Sequence, residues 1–257
     1  MARIIAVANQ KGGVGKTTTS VNFATSLAVS EQSVLLVDLD PQANATSGLG
    51  VATNSASKTV YNCLVHGEKI ENVSVPTSIT HLSVAPATTD LVGAEVELVS
   101  IPGRESLLKQ ALQSSHDRFD YIILDCPPAL GLITINAFTA ASSVLVPLQC
   151  EYYAMEGLSR LMANVERIRQ SLNPSLELEG IVLTMFDARN SLSKQVADEI
   201  RKHFKDKVYR TVIPRNVALA EAPSFGRPAL LYNVASTGAQ AYLQLTKEIL
   251  DGKKGSR

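Results

Sequence analysis

The octapeptide Lys11-Gly12-Gly13-Val14-Gly15-Lys16-Thr17-Thr18 constrains the chain more than any other feature. It follows the apolar run Ile4-Ile5-Ala6-Val7-Ala8 and precedes Val21-Asn22-Phe23-Ala24-Thr25-Ser26-Leu27-Ala28, so it joins a buried strand to a helix. A phosphate-binding loop needs that setting. Gly12, Gly13 and Gly15 allow backbone conformations closed to residues with a Cβ, so that successive N–H groups turn inward at the positive end of a helix dipole. Lys16 is placed to reach the outer phosphates and Thr17 to offer its hydroxyl to Mg²⁺.

One position departs from the common G-x-x-x-x-G-K-[ST] pattern: Gln10 stands where its first glycine would be, and Lys11 follows. A lysine there cannot easily fold back onto its own phosphates, but it could reach those of a facing subunit.

The segment resembles the deviant Walker A motif of the ParA/MinD group of dimerising ATPases, whose signature residue is this early lysine. The resemblance continues in Val37-Asp38-Leu39-Asp40-Pro41-Gln42-Ala43-Asn44-Ala45-Thr46, in Ile123-Leu124-Asp125-Cys126-Pro127-Pro128, in Gln149-Cys150-Glu151-Tyr152-Tyr153-Ala154 and in Val212-Ile213-Pro214-Arg215-Asn216. It spans nearly the whole chain and points to the chromosomal ParA (Soj) branch.

Length and composition fit one domain. A chain of 257 residues with 45% hydrophobic content can bury a large core, and the formal charge is zero, so any nucleic-acid binding must come from a local patch. Cys63, Cys126 and Cys150 are too few and too scattered for a disulfide framework or a zinc site, and read as buried, reduced thiols. The amino terminus enters a strand almost at once, without the pattern of a secretory signal, and no apolar run approaches a bilayer span. The expectation is a cytoplasmic protein associated with the nucleoid, with one ATPase domain over residues 1–251 and a flexible polar tail over 252–257.

Strand-like runs at 33–38, 82–85, 121–125, 143–147, 180–185 and 208–213 alternate with helical patterns at 156–172, 193–204 and after Gly238. Most of the strand runs are continuously apolar, as expected for strands covered on both faces. The fold class predicted is α/β: a doubly wound, mostly parallel sheet with helices on both faces, of the P-loop NTPase type, with functional loops at the carboxyl ends of the strands. Residues 48–103 are the least legible, with a short helix expected at 60–65 and helical stretches at 88–99 and 104–112 around the break at Pro102-Gly103.

Asp38 and Asp40 lie two apart at the end of the second strand run, and in extended geometry both point from the same side. The loop Pro41-Gln42-Ala43-Asn44-Ala45-Thr46-Ser47-Gly48 suits a switch segment. Carboxylates beside a triphosphate repel it unless a cation intervenes, which argues for a metal-bound nucleotide. The resemblance implies that Asp40 positions the attacking water, that Asp38 supports the Mg²⁺ environment, and that Asp125, at a Walker B position, binds Mg²⁺ through water. It also implies that adenine rests against Pro214 and bonds the backbone or Asn216; a plain strand-to-helix turn capped by Asn216 is the alternative.

Residues 189–215 hold eight basic residues against three acidic ones, a local excess of about +5 in a neutral chain. Lys194, Arg201 and Lys205 are expected along one side of a helix, with Lys202 beside them. Arg189 matches a position where the Soj branch carries a DNA-contacting arginine, whereas Ala218 stands where that branch usually has a basic residue. No element reads as a helix-turn-helix, so DNA binding is expected to be sequence-independent.

Together these readings predict an ATP- and Mg²⁺-dependent partitioning ATPase. It would form an ATP-sandwich homodimer, bind double-stranded DNA nonspecifically, and be released when a ParB-like (Spo0J-like) partner stimulates hydrolysis, with Lys11 and Lys16 as catalytic cations. A MinD-like membrane-associated positioning ATPase is the alternative, opposed by the absence of a basic amphipathic tail helix. A nitrogenase-type iron–sulfur reductase would need cysteines bridging two subunits, and Cys126 lies instead in the Asp-Cys-Pro-Pro turn.

Overall fold

The structure, a computed structural model, describes residues 2–52 and 58–254. Among these, eight strands form one sheet: β1 (Arg3–Val7), β2 (Val34–Asp38), β3 (Val75–Pro76), β4 (Leu82–Ala85), β5 (Tyr121–Asp125), β6 (Ser143–Gln149), β7 (Glu177–Phe186) and β8 (Val208–Pro214), in the spatial order β3-β4-β2-β5-β1-β6-β7-β8. All neighbours are parallel except β3, which pairs antiparallel to β4. The doubly wound sheet predicted from the apolar runs is therefore present. The two-residue β3 was not anticipated: it ends in a proline, which is tolerated at a sheet edge and gives no periodic signal.

The helices are α1 (Lys16–Val29), α2 (Asn44–Gly48), α3 (Val60–His66), α4 (Leu91–Glu97), α5 (Leu107–Leu112), α6 (Leu132–Ala140), α7 (Ala154–Ser171), α8 (Ser191–Phe204), α9 (Val217–Glu221), α10 (Ala229–Tyr232) and α11 (Thr237–Lys254). Successive strand residues point to opposite faces, and both faces are covered. Ile4, Ala6, Leu35, Val37, Ile122 and Leu124 enter one core with α3 to α8. Ile5, Val7, Leu36 and Ile123 enter the other with Phe23 and Leu27 of α1 and Tyr242 and Leu245 of α11. This double coverage is why the strand runs lack alternation.

Several boundaries differ from the sequence reading for local reasons. Helix α8 starts at Ser191, before the expected 193, because the Asn190 side chain accepts the N–H groups of Leu192 and Ser193. Helix α6 was not anticipated: Ile133, Thr134, Asn136, Ala137, Phe138, Thr139 and Ala140 are all buried, so the segment has no polar face to mark a helical period. Helix α11 continues to Lys254, past the domain end placed at 251, while residues 255–257 of the expected tail lie outside the described residues. No described helix is long and apolar enough to cross a membrane. Cys63, Cys126 and Cys150 are buried and free.

Candidate nucleotide site and nucleic-acid surface

The glycine-rich loop lies between β1 and α1, at the carboxyl end of the central strand. Gly13 and Gly15 take left-handed φ values of 75° and 86°, which a Cβ would strain. Neighbouring strands hold the loop from the side. The Asn9 amide donates to the Pro147 carbonyl (2.8 Å) and accepts the Lys11 N–H (3.0 Å), while the Thr184 hydroxyl on β7 donates to the Val14 carbonyl (2.8 Å). Lys16 is buried, and its Nζ donates across the loop to the Lys11 carbonyl (3.1 Å). Burial lowers its pKa, opposed by the nearby carboxylate of Asp125.

Asp125 and Asp38 end adjacent strands and are direct register partners. Both are fully buried, and burial pushes both carboxyls up, Asp125 further because Asp38 faces it. Asp38 spends both oxygens on main-chain and hydroxyl groups: Oδ2 accepts the N–H (2.8 Å) and hydroxyl (2.7 Å) of Thr46, and Oδ1 accepts the Asp40 N–H (3.1 Å). It thus fixes the segment after β2 and has no oxygen left over, which sets it apart from the other expected metal-holding residues. Thr46 is held so firmly that residues 44–48 form the helical turn α2 after a left-handed Ala43 (φ 52°), where a loop was expected.

Asp125 is different. Its Oδ1 accepts from the Ser20 hydroxyl (2.7 Å), and the Thr17 hydroxyl lies close enough to favour the charged carboxylate, yet Oδ2 is buried without a hydrogen-bond partner. A buried, unpaired carboxylate oxygen is costly unless a ligand uses it. Beside the Thr17 hydroxyl, the donor set is oxygen-only and fits a hydrated Mg²⁺. Asp40 lies past the strand end, half-buried, with Oδ1 accepting the Gln42 N–H (2.9 Å).

A cleft of about 190 Å³ opens beside Gly15 and Thr18, bounded by Met185, Pro214, Asn216 and Tyr242. Asn216 precedes α9 but its side chain does not cap that helix; Nδ2 donates to the Thr237 hydroxyl (2.9 Å) and Oδ1 is buried without a partner. Asn216 lines this cleft, where a carboxamide suits an exocyclic amino group such as that of adenine. Lys11 lies on the outside of the loop, where its ammonium pairs with the Glu151 carboxylate beyond β6. Ser20 and Thr184 carried no recognisable sequence signal, and Glu151, although within the stretch 149–154 noted above, gave no sign of its partner, because each contact joins residues more than a hundred positions apart.

On the basic surface, Arg189 is 91% exposed and clasps Asp187 with two donors (3.1 and 3.0 Å), which holds the Asp187 carboxyl down at about 2. Lys194 and Lys202 are exposed on α8, and Arg201 is half-buried near Asp198 (3.8 Å). Lys205 does not share their helical face as expected: α8 ends at Phe204, and Lys205 turns away with a left-handed φ of 48° into the 3₁₀ turn Lys205–Lys207. Ala218 is buried in α9.

Comparison with known proteins agrees with this geometry. The family model described as AAA domain matches residues 2–178, more than half of the chain. The sporulation initiation inhibitor protein Soj of Bacillus subtilis is 54% identical over 249 residues, covering 97% of this chain and 98% of its own length. The chromosome partitioning protein ParA of Myxococcus xanthus is 52% identical, over 97% of this chain and 88% of its own. This chain belongs to the ParA/Soj family. Among solved structures, cobyrinic acid a,c-diamide synthase from Mycobacterium smegmatis, with bound ADP and magnesium, superposes with a TM-score of 0.86 at 36% identity, covering 100% of this chain and 97% of that one. The ParA/Soj fold thus houses more than one named activity, so function must be argued from the site.

Proposed function

We propose that the chain is a partitioning ATPase that uses ATP and Mg²⁺, forms an ATP-sandwich homodimer and binds double-stranded DNA without sequence preference. A ParB-like partner would stimulate hydrolysis and release it, in the cytoplasm and on the nucleoid. The carrying observation is the unpaired, buried Oδ2 of Asp125 beside Thr17 and Lys16. Close similarity to proteins named for chromosome partitioning supports the cellular role.

The residues divide the work. Main-chain N–H groups from Lys11 to Thr18 cradle phosphate oxygens, and Lys16 neutralises the outer phosphates. Thr17 and Asp125 hold Mg²⁺, which neutralises charge on the phosphate oxygens. Asp38 keeps the segment after β2 in place through Thr46, so that Asp40 orients the attacking water. Pro214 and the Asn216 Oδ1 receive the base. Lys11 exchanges Glu151 for the triphosphate of a facing subunit, adding a charge in trans of the kind worth roughly 10³ to 10⁵ in rate when an arginine supplies it. Turnover is therefore slow alone and fast when stimulated.

Arg189, Lys194, Arg201, Lys202 and Lys205 supply phosphate contacts. Two such surfaces joined in a dimer bind far better than one, which converts nucleotide state into DNA occupancy. Mass and DNA retention measured with ADP, with ATP and with ATP plus partner test the cycle. Retention that ignores nucleotide state would count against it.

A further inference from the structure

A row of valines stands in solvent on one short element. Val92 and Val96 of α4, and Val99 in the 3₁₀ turn Leu98–Ser100 that prolongs it, are 63%, 74% and 57% exposed. Their spacing of four and three residues aligns them on one side, while Leu91, Ala94 and Leu98 on the other side are buried in the core. Single exposed apolar residues are ordinary; an aligned row is the feature that marks a contact surface.

Carboxylates flank the row. The helical rotation sets Glu95 and Glu97 on opposite sides of Val96, and Asp90 stands at the N-cap position. Residues 86–106 carry Asp90, Glu95, Glu97 and Glu105 against the single cation Arg104, a net charge of −3 in a chain whose total is zero. Arg104 is itself engaged by Glu105 (3.2 Å) and by the Val99 carbonyl. A second copy of this face would bring like charges together across a two-fold axis, whereas a segment with cations on either side of an apolar stripe complements it.

The same element is wired to the nucleotide site at both ends. The Glu95 carboxylate accepts the N–H groups of Leu132 (2.8 Å) and Ile133 (3.2 Å) in the first turn of α6, the helix that follows the loop leaving Asp125. A Cβ on Gly131 would overlap that carboxylate, so α4 and this loop are in close contact. On the approach to α4, the Ala87 N–H donates to the Thr46 hydroxyl (3.1 Å), which donates to Asp38 (2.7 Å).

We propose that the outward face of α4, Val92, Val96 and Val99 between Glu95 and Glu97, docks a cationic amphipathic segment of the stimulating protein partner. Force on this face reaches the segments carrying Asp38, Asp40 and Asp125 through Thr46 and Glu95. The link to stimulation rests on the partitioning reading above; the docking chemistry does not.

The test uses the full chain and the variant V92S/V96S/V99S, whose changes lie outside the core. The probe is a labelled helical peptide of about 18 residues with leucines at i, i+4 and i+7 and lysines flanking them; a counterpart with glutamate in place of lysine is the control. Anisotropy is expected to show the lysine peptide binding the parent and binding the variant roughly tenfold more weakly or worse, with no binding of the glutamate peptide. Equal binding to parent and variant, or none to the parent, overturns the proposal. So does a variant that no longer doubles its mass with a nonhydrolysable ATP analogue, since the face would then belong to a second copy. With the ParB-like protein of the same genome, stimulated turnover of the variant is expected to fall roughly tenfold at unchanged basal turnover; full stimulation of the variant also overturns the proposal. If the peptide results hold but that protein stimulates neither chain, the docking face stands and the functional reading fails.

Discussion

Lys11 and Glu151, 140 residues apart in sequence, meet across the mouth of the phosphate loop as an ion pair with both side chains nearly half exposed. Exposed pairs of this kind contribute little, about 0 to 1 kcal/mol, and weaken with salt. The pair therefore keeps the lysine near the loop without holding it there. A double-mutant cycle on Lys11 and Glu151 in the nucleotide-free protein is expected to give a coupling of at most about 1 kcal/mol, read from urea unfolding. A coupling of several kcal/mol would mean that Lys11 is locked in place.

Asp40→Ala is expected to leave ATP affinity within about threefold of the parent while hydrolysis falls by roughly 10² or more, the scale of a lost water-positioning group. Equilibrium binding and single-turnover assays separate the two effects. Loss of affinity with unchanged turnover per bound ATP would assign Asp40 to ligand binding.

Asp38 and Asp125 are raised by burial, Asp125 also by the Asp38 charge and Asp38 by that of Asp40, so the nucleotide-free fold binds more protons here than the unfolded chain does. The stability they contribute is complete below the ordinary carboxylate range and is lost as pH rises from about 4 through their raised folded values. Urea midpoints are expected to fall across that window, and Asp125→Asn should flatten the fall. Mg²⁺–ATP affinity should rise with pH over the same interval, because metal binding needs the ionised carboxylate. An identical slope in Asp125→Asn would show that other groups set the pH dependence.

Asn216→Leu removes the unpaired amide acceptor beside the base cleft. Affinity for ATP is expected to drop about five- to tenfold, the worth of one hydrogen bond, while affinity for the inosine nucleotide, which lacks the amino donor, changes less. Equal losses for both nucleotides would mean that Asn216 acts only through Thr237.

The glycine loop and the strand runs could be read from sequence because each rests on local chemistry: Gly13 and Gly15 are needed for their backbone angles, and the runs leading to Asp38 and Asp125 are apolar on both faces. What could not be read is set by tertiary contacts. Thr46 folds the expected loop into α2 because Asp38 is in reach, and Asn136 sits inside α6 because it bonds the Arg104 carbonyl (2.6 Å) and the Leu108 N–H (3.1 Å). Lys205 leaves the helical face because the backbone turns left-handed there, which periodicity does not report.

Arg189→Glu replaces a cation of the basic surface whose side chain is 91% exposed with a charge that repels both Asp187 and phosphate. ATP-dependent DNA retention near physiological salt is expected to fall roughly tenfold, and the salt dependence of binding to lose about one charge equivalent per subunit. Filter binding across a salt series reads both, and unchanged retention would place the DNA elsewhere.

The central claim is that Lys11 serves the nucleotide of a facing subunit. Light scattering on the parent and on Lys11→Ala, each saturated with a nonhydrolysable ATP analogue and Mg²⁺, tests it most directly. The parent is predicted to double its mass while Lys11→Ala binds the analogue and stays monomeric. A parent that remains monomeric, or a Lys11→Ala protein that dimerises equally well, would contradict it.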